Sequence, residues 1–344
     1  MKIKMMIATT DNDYAKLLSD NISEFHSNKI DVSECSGVDG FNEAGPKRKY
    51  DVALVDSKSV GKADLTNVTL PILLWSDNDA SEITEAISFG INKIRKYQRI
   101  TSIIAGVFEY FAKVSETGSG PESKHTEITA VWSPVGGVGK TTTALAYAAS
   151  KVAEGKEVFY LNFEDFSSIP GYFHETGKSI SSVFEMLDTQ TGNIKMFIQG
   201  ICCLNNGIKY LSGPDNYEDM YILTLENISE LITACAGLTD ELILDLPCVY
   251  DARTKKSFEA ACNIFIVTSP EYSADAKLIQ FKSQNNVYED IKDKVTFIMN
   301  KATPMTNESL SKPDAGLKVI SLPYIKTENA RDVYKSLAMT GFRS

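Results

Sequence analysis

The run Gly136-Gly137-Val138-Gly139-Lys140-Thr141-Thr142 constrains this chain more than any other stretch of similar length. Ahead of it, Ile128-Thr129-Ala130-Val131-Trp132-Ser133 reads as a buried strand, and behind it the Ala-rich stretch from Thr141 to Ala153 reads as a helix. Glycines let backbone N–H groups fold around phosphate oxygens, and a helix N-terminus adds the positive end of its dipole. Lys140 would neutralise charge and the Thr141 hydroxyl would ligate Mg²⁺. The plain alternative is a Gly-rich turn feeding a helix. Strand, GK[ST] and helix standing in order favour the phosphate loop.

The chain has 344 residues, more than the roughly 250 at which single cores stop growing, so two domains are expected. With 43% apolar and 23% charged residues it has the composition of a folded chain with sizeable cores. The clearest seam is Ser115 to His125, which is small, polar and rich in Gly. It divides an expected domain at 1–114 from a second at 126–344, with 115–125 as linker. Upstream, strand-like runs at 3–8, 51–55 and 70–75 alternate with helix-like runs at 13–24, 80–88 and 100–113. Downstream, strands are expected at 127–132, 157–161, 207–211, 241–245, 263–268, 294–299 and 317–321. The stretches between them are long enough for helical crossovers. Both halves therefore read as α/β with mainly parallel sheets, the second doubly wound. No fixed-period repeat is present.

The 35 basic and 45 acidic residues leave a net charge of −10, which opposes attraction to DNA or to an anionic membrane. No specific nucleic acid is expected as partner. Cys35, Cys202, Cys203, Cys235, Cys248 and Cys262 lie in apolar stretches and form no CxxC pair, so buried thiols in a reducing, cytoplasmic setting are expected rather than a disulfide framework. Met1 to Ile7 is too short for a signal-peptide core, and no apolar run approaches the ~20 residues of a membrane span. Asn329 to Ser344 amounts to one short helix without a Lys-rich amphipathic extension. No direct membrane insertion is expected, and recruitment to the inner face of a membrane or to a cell pole would run through partners.

The residue that should open GxxxxGK[ST] is Pro134 instead of Gly. The loop resembles the KGGxGK[ST] of deviant Walker-A ATPases of the MinD/ParA superfamily, matching from Gly136 to Thr141 and departing at Val135. In that family the first position is a signature lysine that reaches across an ATP-sandwich dimer. The resemblance implies ATP and Mg²⁺ as cofactors, held by Gly136, Gly137, Val138, Gly139, Lys140, Thr141 and Thr142, in a homodimer. Without the signature lysine it implies slow turnover, which Val135→Lys would raise.

Other matches follow in family order. Glu241-Leu242-Ile243-Leu244-Asp245-Leu246-Pro247 looks like the Walker-B strand, making Asp245 and Thr141 the metal residues; its plain reading is a polar residue leaving a strand. Val158 to Asp165 stands where the family's second strand ends in DxD but reads Asn162-Phe163-Glu164. Glu164 either orients an attacking water or caps the strand. Lys140, Glu164 and Asp245 form the implied catalytic set. Phe297-Ile298-Met299-Asn300-Lys301 resembles the strand whose Asn reads adenine through its amide, against a strand-end turn. Ser321-Leu322-Pro323-Tyr324 resembles the loop that packs on the base.

Residues 1–114 resemble a response-regulator receiver domain, a flavodoxin-like fold. Asp56 ends a strand as the phosphoacceptor does, Ser76 supplies the Ser/Thr, and Lys96-Tyr97 stands near the usual Lys-Pro. Phosphoryl transfer to a carboxylate also needs a cation held by neighbouring acids, and here Asp11 stands beside Thr10, where a second acid is expected. The departures favour an atypical receiver that accepts phosphate poorly and serves in association.

The two units in this order look like the TadZ/CpaE family, which positions the assembly machinery of tight-adherence (Flp, type IV-like) pili. That resemblance implies an ATP-dependent spatial regulator with pilus-assembly or secretion proteins as partners. The alternative is a ParA/MinD-type partition or division-site positioning ATPase, whose DNA-binding surface the net charge disfavours. A metal-cluster protein using Cys235 and Cys248 and a tyrosine autokinase using Tyr324 and Tyr334 are weaker readings. The cysteines stand too close in sequence and the tyrosines are isolated.

Overall fold

The computed structural model describes residues 2–44, 48–60, 62–76, 91–115, 125–174, 177–190, 192–284, 287–303, 318–326 and 330–342. The expected helix at 80–88 and residues 116–124 of the expected linker lie outside these. The chain forms two compact units, one from Met1–Gly118 with Thr191–Ile201, the other from Ser119–Gln190 with Cys202–Ser344.

The first unit is built on five parallel strands, β1 (Ile3–Thr9), β2 (Ile30–Ser36), β3 (Tyr50–Asp56), β4 (Val68–Trp75) and β5 (Asn92–Arg95), in the order β2-β1-β3-β4-β5. This is one of the common doubly wound orders. β1 and β3 are buried almost end to end, as strands covered by helices on both faces must be. On one face Ile3, Met5 and Ile7 meet Leu18 and Ile22 of α1 (Asn12–Phe25) and Ile104 and Phe108 of a later helix. On the other, Met6 and Ala8 meet Phe41 of α2 (Gly37–Ala44). That later helix is α3 (Ile100–Val114). The Asp11 carboxylate caps α1 by accepting from the Tyr14 N–H at 3.1 Å.

The second unit has eight strands, β6 (Glu127–Trp132), β7 (Val158–Asn162), β8 (Cys203–Asn205), β9 (Ile208–Tyr210), β10 (Glu241–Asp245), β11 (Asn263–Thr268), β12 (Val295–Ala302) and β13 (Lys318–Pro323). Their order is β13-β12-β11-β6-β10-β7-β9-β8, all parallel except the edge hairpin of β8 and β9. The longer helices of this part of the chain, in chain order, are α4 (Lys140–Ala153), α5 (Ser181–Thr189), α6 (Ile194–Ile201), α7 (Leu225–Ala236), α8 (Ala252–Ala260), α9 (Tyr272–Lys282) and α10 (Val333–Gly341). Adjacent residues of β6 serve opposite faces. Val131 packs in the cluster with Ala144 and Leu145 of α4 and Leu337 of α10. Trp132 meets Phe258 edge-on and Phe281 at a tilt, at ring distances of 5.8 and 4.9 Å.

Helix α6 belongs to the first unit although its sequence lies within the second. Met196 packs on the first unit's core, the Lys29 ammonium donates to the Gly200 carbonyl at 3.2 Å, and Gly200 lies against Phe108 so closely that a Cβ would overlap the ring. Part of α3 is therefore covered by the chain's own α6.

Every expected strand is present, with ends displaced by up to three residues. The sequence reading did not register β2, β5 and β8, which are edge strands with polar, partly exposed faces. Among the described residues no helix is long and apolar enough to cross a membrane.

One buried charge lies outside any binding reading. Glu241 opens β10 almost fully buried, with one carboxylate oxygen unpartnered and Lys151 3.9 Å from the other. Burial pushes its pKa up to about 7, against the pull of Lys151. Because the folded value exceeds the unfolded one, stability is full below the unfolded pKa and falls as pH rises through about 7. Glu241→Gln is therefore expected to stabilise the protein at pH 8 by about 1–3 kcal/mol and to leave it unchanged at pH 5. Thermal melts at the two pH values check this.

Candidate functional site

The C-terminal ends of β6, β7, β10 and β12 meet at one place. The register sets Asp245 of β10 level with Val131 of β6 and Asn162 of β7, so the glycine loop leaves the sheet beside both. In doubly wound sheets such carboxyl-end crevices are the usual ligand position.

The loop is shaped by its glycines. Gly137 and Gly139 have φ of +74° and +91°. A Cβ on Gly139 would collide with the Asn300 amide, whereas Gly136 and Gly137 are exposed and face open space. Asn300 donates to the Val138 carbonyl at 2.7 Å, and the Lys301 ammonium reaches the Gly137 carbonyl at 3.4 Å. Lys301 holds φ of +60°, where the β12 to β13 register shifts, an uncommon conformation for a side chain of this size. The amide N–H of Asn300, expected to face a base, is thus engaged by the loop itself. Pro323 and Tyr324 are exposed; the Tyr324 N–H bonds the Ala302 carbonyl at 3.1 Å and its ring is 60% exposed.

Lys140, first residue of α4, is buried and turned onto protein groups. Its ammonium lies 3.2 Å from the Glu164 carboxylate and 3.2 Å from the Cys248 sulfur, which also approaches the Val135 carbonyl at 3.5 Å. Burial opposes its charge, but Glu164, Cys248 and Asp245 together raise its pKa. Glu164 is anchored by its own N–H to the Asn162 side-chain oxygen at 3.0 Å. Thr142 shares a 2.9 Å hydrogen bond with Tyr172.

Asp245 is fully buried and unevenly satisfied. One oxygen accepts from Thr141 at 2.6 Å, Tyr160 at 2.7 Å and Asn162 at 3.1 Å. The other, equally buried, has no partner. Burial and the nearby Glu164 raise its pKa to about 6 against these donors. A buried carboxylate oxygen left bare beside a threonine hydroxyl and an ammonium suits a hydrated divalent cation, so the donor set fits Mg²⁺. Tyr160 escaped the sequence reading. Its only signal is a polar tip at the penultimate inward position of a strand that also carries Asn162.

Three expectations are corrected here. Of the six cysteines expected to be buried, only Cys235 is; Cys262 is exposed and the other four are half-buried. Val135 stands only 6% exposed in the apolar cluster with Val131 and Val138, so position 135 does not present a side chain to solvent. Cys235 is buried in α7, where burial pushes its thiol pKa up, and Cys248 faces Lys140, so the two do not form a cluster site.

In the first unit Asp56 is a hub of internal bonds. One oxygen accepts from Thr9 at 3.1 Å and from the Thr10 N–H and hydroxyl at 2.6 and 2.7 Å, while the other accepts from Ser59 at 2.5 Å. Burial would raise its pKa, yet the donors of Ser59, Thr10 and Thr9 outweigh it and hold the carboxyl low. Lys96 pairs with Asp11 at 3.1 Å instead of reaching Asp56, and Ser76 follows β4 half-buried. Among the described residues no group of three acids, His or Cys is placed to hold a metal. With both Asp56 oxygens filled by these internal donors, small phosphodonors are expected to label it poorly or not at all. Asp56→Ala should cost about 1–3 kcal/mol by stranding buried donors, read by denaturant unfolding.

No family model matches the chain, and no curated protein is matched either. Solved structures do resemble it. A ParA family ATPase from Chlorobium tepidum TLS superposes with a TM-score of 0.51 at 17% identity, over 63% of this chain and 90% of that one. The septum site-determining protein MinD from Pyrococcus horikoshii OT3, complexed with Mg-ADP, gives 0.43 at 16% identity over 62% and 94%. A Cyanothece McdA variant complexed with ATP gives 0.45 at 14% over 63% and 88%. The likeness to the first is one of fold: an α/β domain built on a mainly parallel sheet.

Proposed function

We propose that the second unit, near 126–344, binds ATP with Mg²⁺ and acts as a nucleotide-dependent positioning switch rather than a rapid hydrolase. The bare buried oxygen of Asp245 beside Thr141 and Lys140 carries this reading. Gly136 to Thr142 would wrap the phosphates with backbone N–H groups, and Lys140 would exchange Glu164 and Cys248 for phosphate oxygens. Thr141 and Asp245 would hold the hydrated cation, which supplies charge neutralisation at the phosphates. Asn300 and Lys301, which bond the loop, together with Pro323 and Tyr324 would flank a base. The exposed, side-chain-free surface at Gly136 and Gly137 allows a second copy to approach, which supports a homodimer with nucleotide at its interface.

Affinity for labelled ATP should depend on Mg²⁺ and rise as pH increases from 5 to 7, because the metal requires ionised Asp245, whose pKa is about 6. Asp245→Asn should abolish both dependences. Tight binding that ignores Mg²⁺ in the wild type would contradict the assignment.

The first unit, near 1–114, we read as an atypical receiver-like domain, supported by its strand order and by Asp56 at a strand end. Such a unit ahead of a ParA-like ATPase supports a cytoplasmic role in localising tight-adherence pilus assembly through protein partners. A partition role is the alternative. Salt-sensitive retention of the ATP form on random DNA would favour it.

A further inference from the structure

Beside the nucleotide site, the second unit exposes aromatic and aliphatic side chains that neither the loop nor the core uses. Phe166 is 80% exposed and stacks on Tyr217 with ring centroids 5.9 Å apart. Tyr221 and Ile222, 64% and 66% exposed, follow on the helical turn Asp219–Ile222. Leu225 then opens α7 and lines a surface cleft of about 500 Å³ with Glu226, Glu230 and Lys256. Large side chains exposed singly are ordinary, but a contiguous strip of this kind marks an interaction surface.

The strip is held in shape from below. The Tyr221 hydroxyl donates to Asp165 at 2.9 Å, and Arg253, largely buried, pairs with Asp165 at 3.2 Å and Asp251 at 2.8 Å beneath the Tyr221 ring. Its aromatic side chains are therefore pre-positioned, which lowers the ordering entropy a partner's docking must overcome.

Charge identifies the occupant. Between Lys209 and Arg253 the chain has nine Asp and Glu and no Lys or Arg. Among the described residues Asp215, Glu218, Asp219, Glu226 and Glu230 form no ion pair, and Lys256, which shares the cleft with Glu226 and Glu230, pairs with Glu259, so acidic charge dominates the edge of the strip. Exposed tyrosine faces among carboxylates favour guanidinium and ammonium groups through cation–π and ionic attraction.

We propose that the strip from Phe166 to Leu225 docks a Lys/Arg-rich amphipathic segment of a partner protein. The apolar side of the segment covers Phe166, Tyr221 and Ile222, and its cations meet Glu218 and Glu226. Asp165 and Phe166 follow directly on Glu164, the carboxylate that holds Lys140, so the loop that carries the site also carries one end of the strip. The docking itself does not depend on the nucleotide assignment.

The test is fluorescence anisotropy with the full chain and a labelled 16-residue amphipathic helix of Leu and Arg. The same peptide with Glu for Arg serves as comparison. Tyr217→Ala with Ile222→Ser, and separately Glu218→Gln with Glu226→Gln, are expected to weaken the Leu/Arg peptide at least tenfold. Asp20→Asn with Glu24→Gln, an exposed acidic pair in the first unit, should change it less than twofold. Thermal melts of each variant identify any that fails to fold, in which case Phe166→Ala replaces it. No binding by the wild type, equal binding of the Leu/Glu peptide, or equal loss in the Asp20/Glu24 variant would overturn the proposal. So would an oligomer that the strip variants dissociate by sedimentation, because the strip would then be covered by a second copy.

Discussion

ATP bound to this protein is expected to be hydrolysed far more slowly than the ~1 s⁻¹ at the low end of ordinary enzymes. Bond cleavage spreads negative charge over the phosphoryl oxygens, and in related P-loop enzymes a second cation supplied in trans is worth ~10³ to 10⁵ in rate. Position 135, where the resembled family places that cation, holds a valine turned into the core. Lys140 would be committed to its own subunit's phosphates in the proposed complex, and Arg253 is paired with Asp165 and Asp251. The residues at the family's DxD reinforce the effect. Asn162 donates to Asp245 instead of supplying a carboxylate, and Glu164 is tied to Lys140.

The burial of Val135 also reverses what the sequence suggests for its replacement. A lysine at this position would leave an ammonium among Val131 and Val138, so Val135→Lys is expected to destabilise the fold by several kcal/mol instead of restoring turnover. Single-turnover measurements with a parallel thermal melt separate the outcomes. A stable Val135→Lys variant with accelerated hydrolysis would show that the side chain reaches the phosphates after all.

The phosphate loop, its strand and its helix were legible because each uses a residue type that local physics rewards. Gly137 and Gly139 sit at positive φ, β6 is buried over its last four residues, and α4 is alanine-rich. Asp245 was legible by its place at the end of such a strand. What the sequence concealed lies in tertiary pairing. No spacing rule places Tyr160 against a residue 85 positions away, or the Cys248 sulfur against Lys140. The excursion of α6 was equally hidden, since an amphipathic helix does not declare which unit supplies its apolar partner. Asp56 is the converse case. Its position at the end of β3 matches a phosphoacceptor, but four internal donors fill both of its oxygens.

The most direct test of the account is calorimetric titration of MgATP into the wild-type chain and into Lys140→Ala. Lys140 is the buried cation at the end of the loop that would exchange Glu164 and Cys248 for phosphate oxygens, and charge-assisted hydrogen bonds from such a group contribute about 1.5–3 kcal/mol each. The account predicts saturable binding of one nucleotide per chain in the wild type and a loss of affinity of at least about 100-fold in the variant, with the melting curve of the nucleotide-free protein little changed. Equal affinity in the two proteins would contradict it.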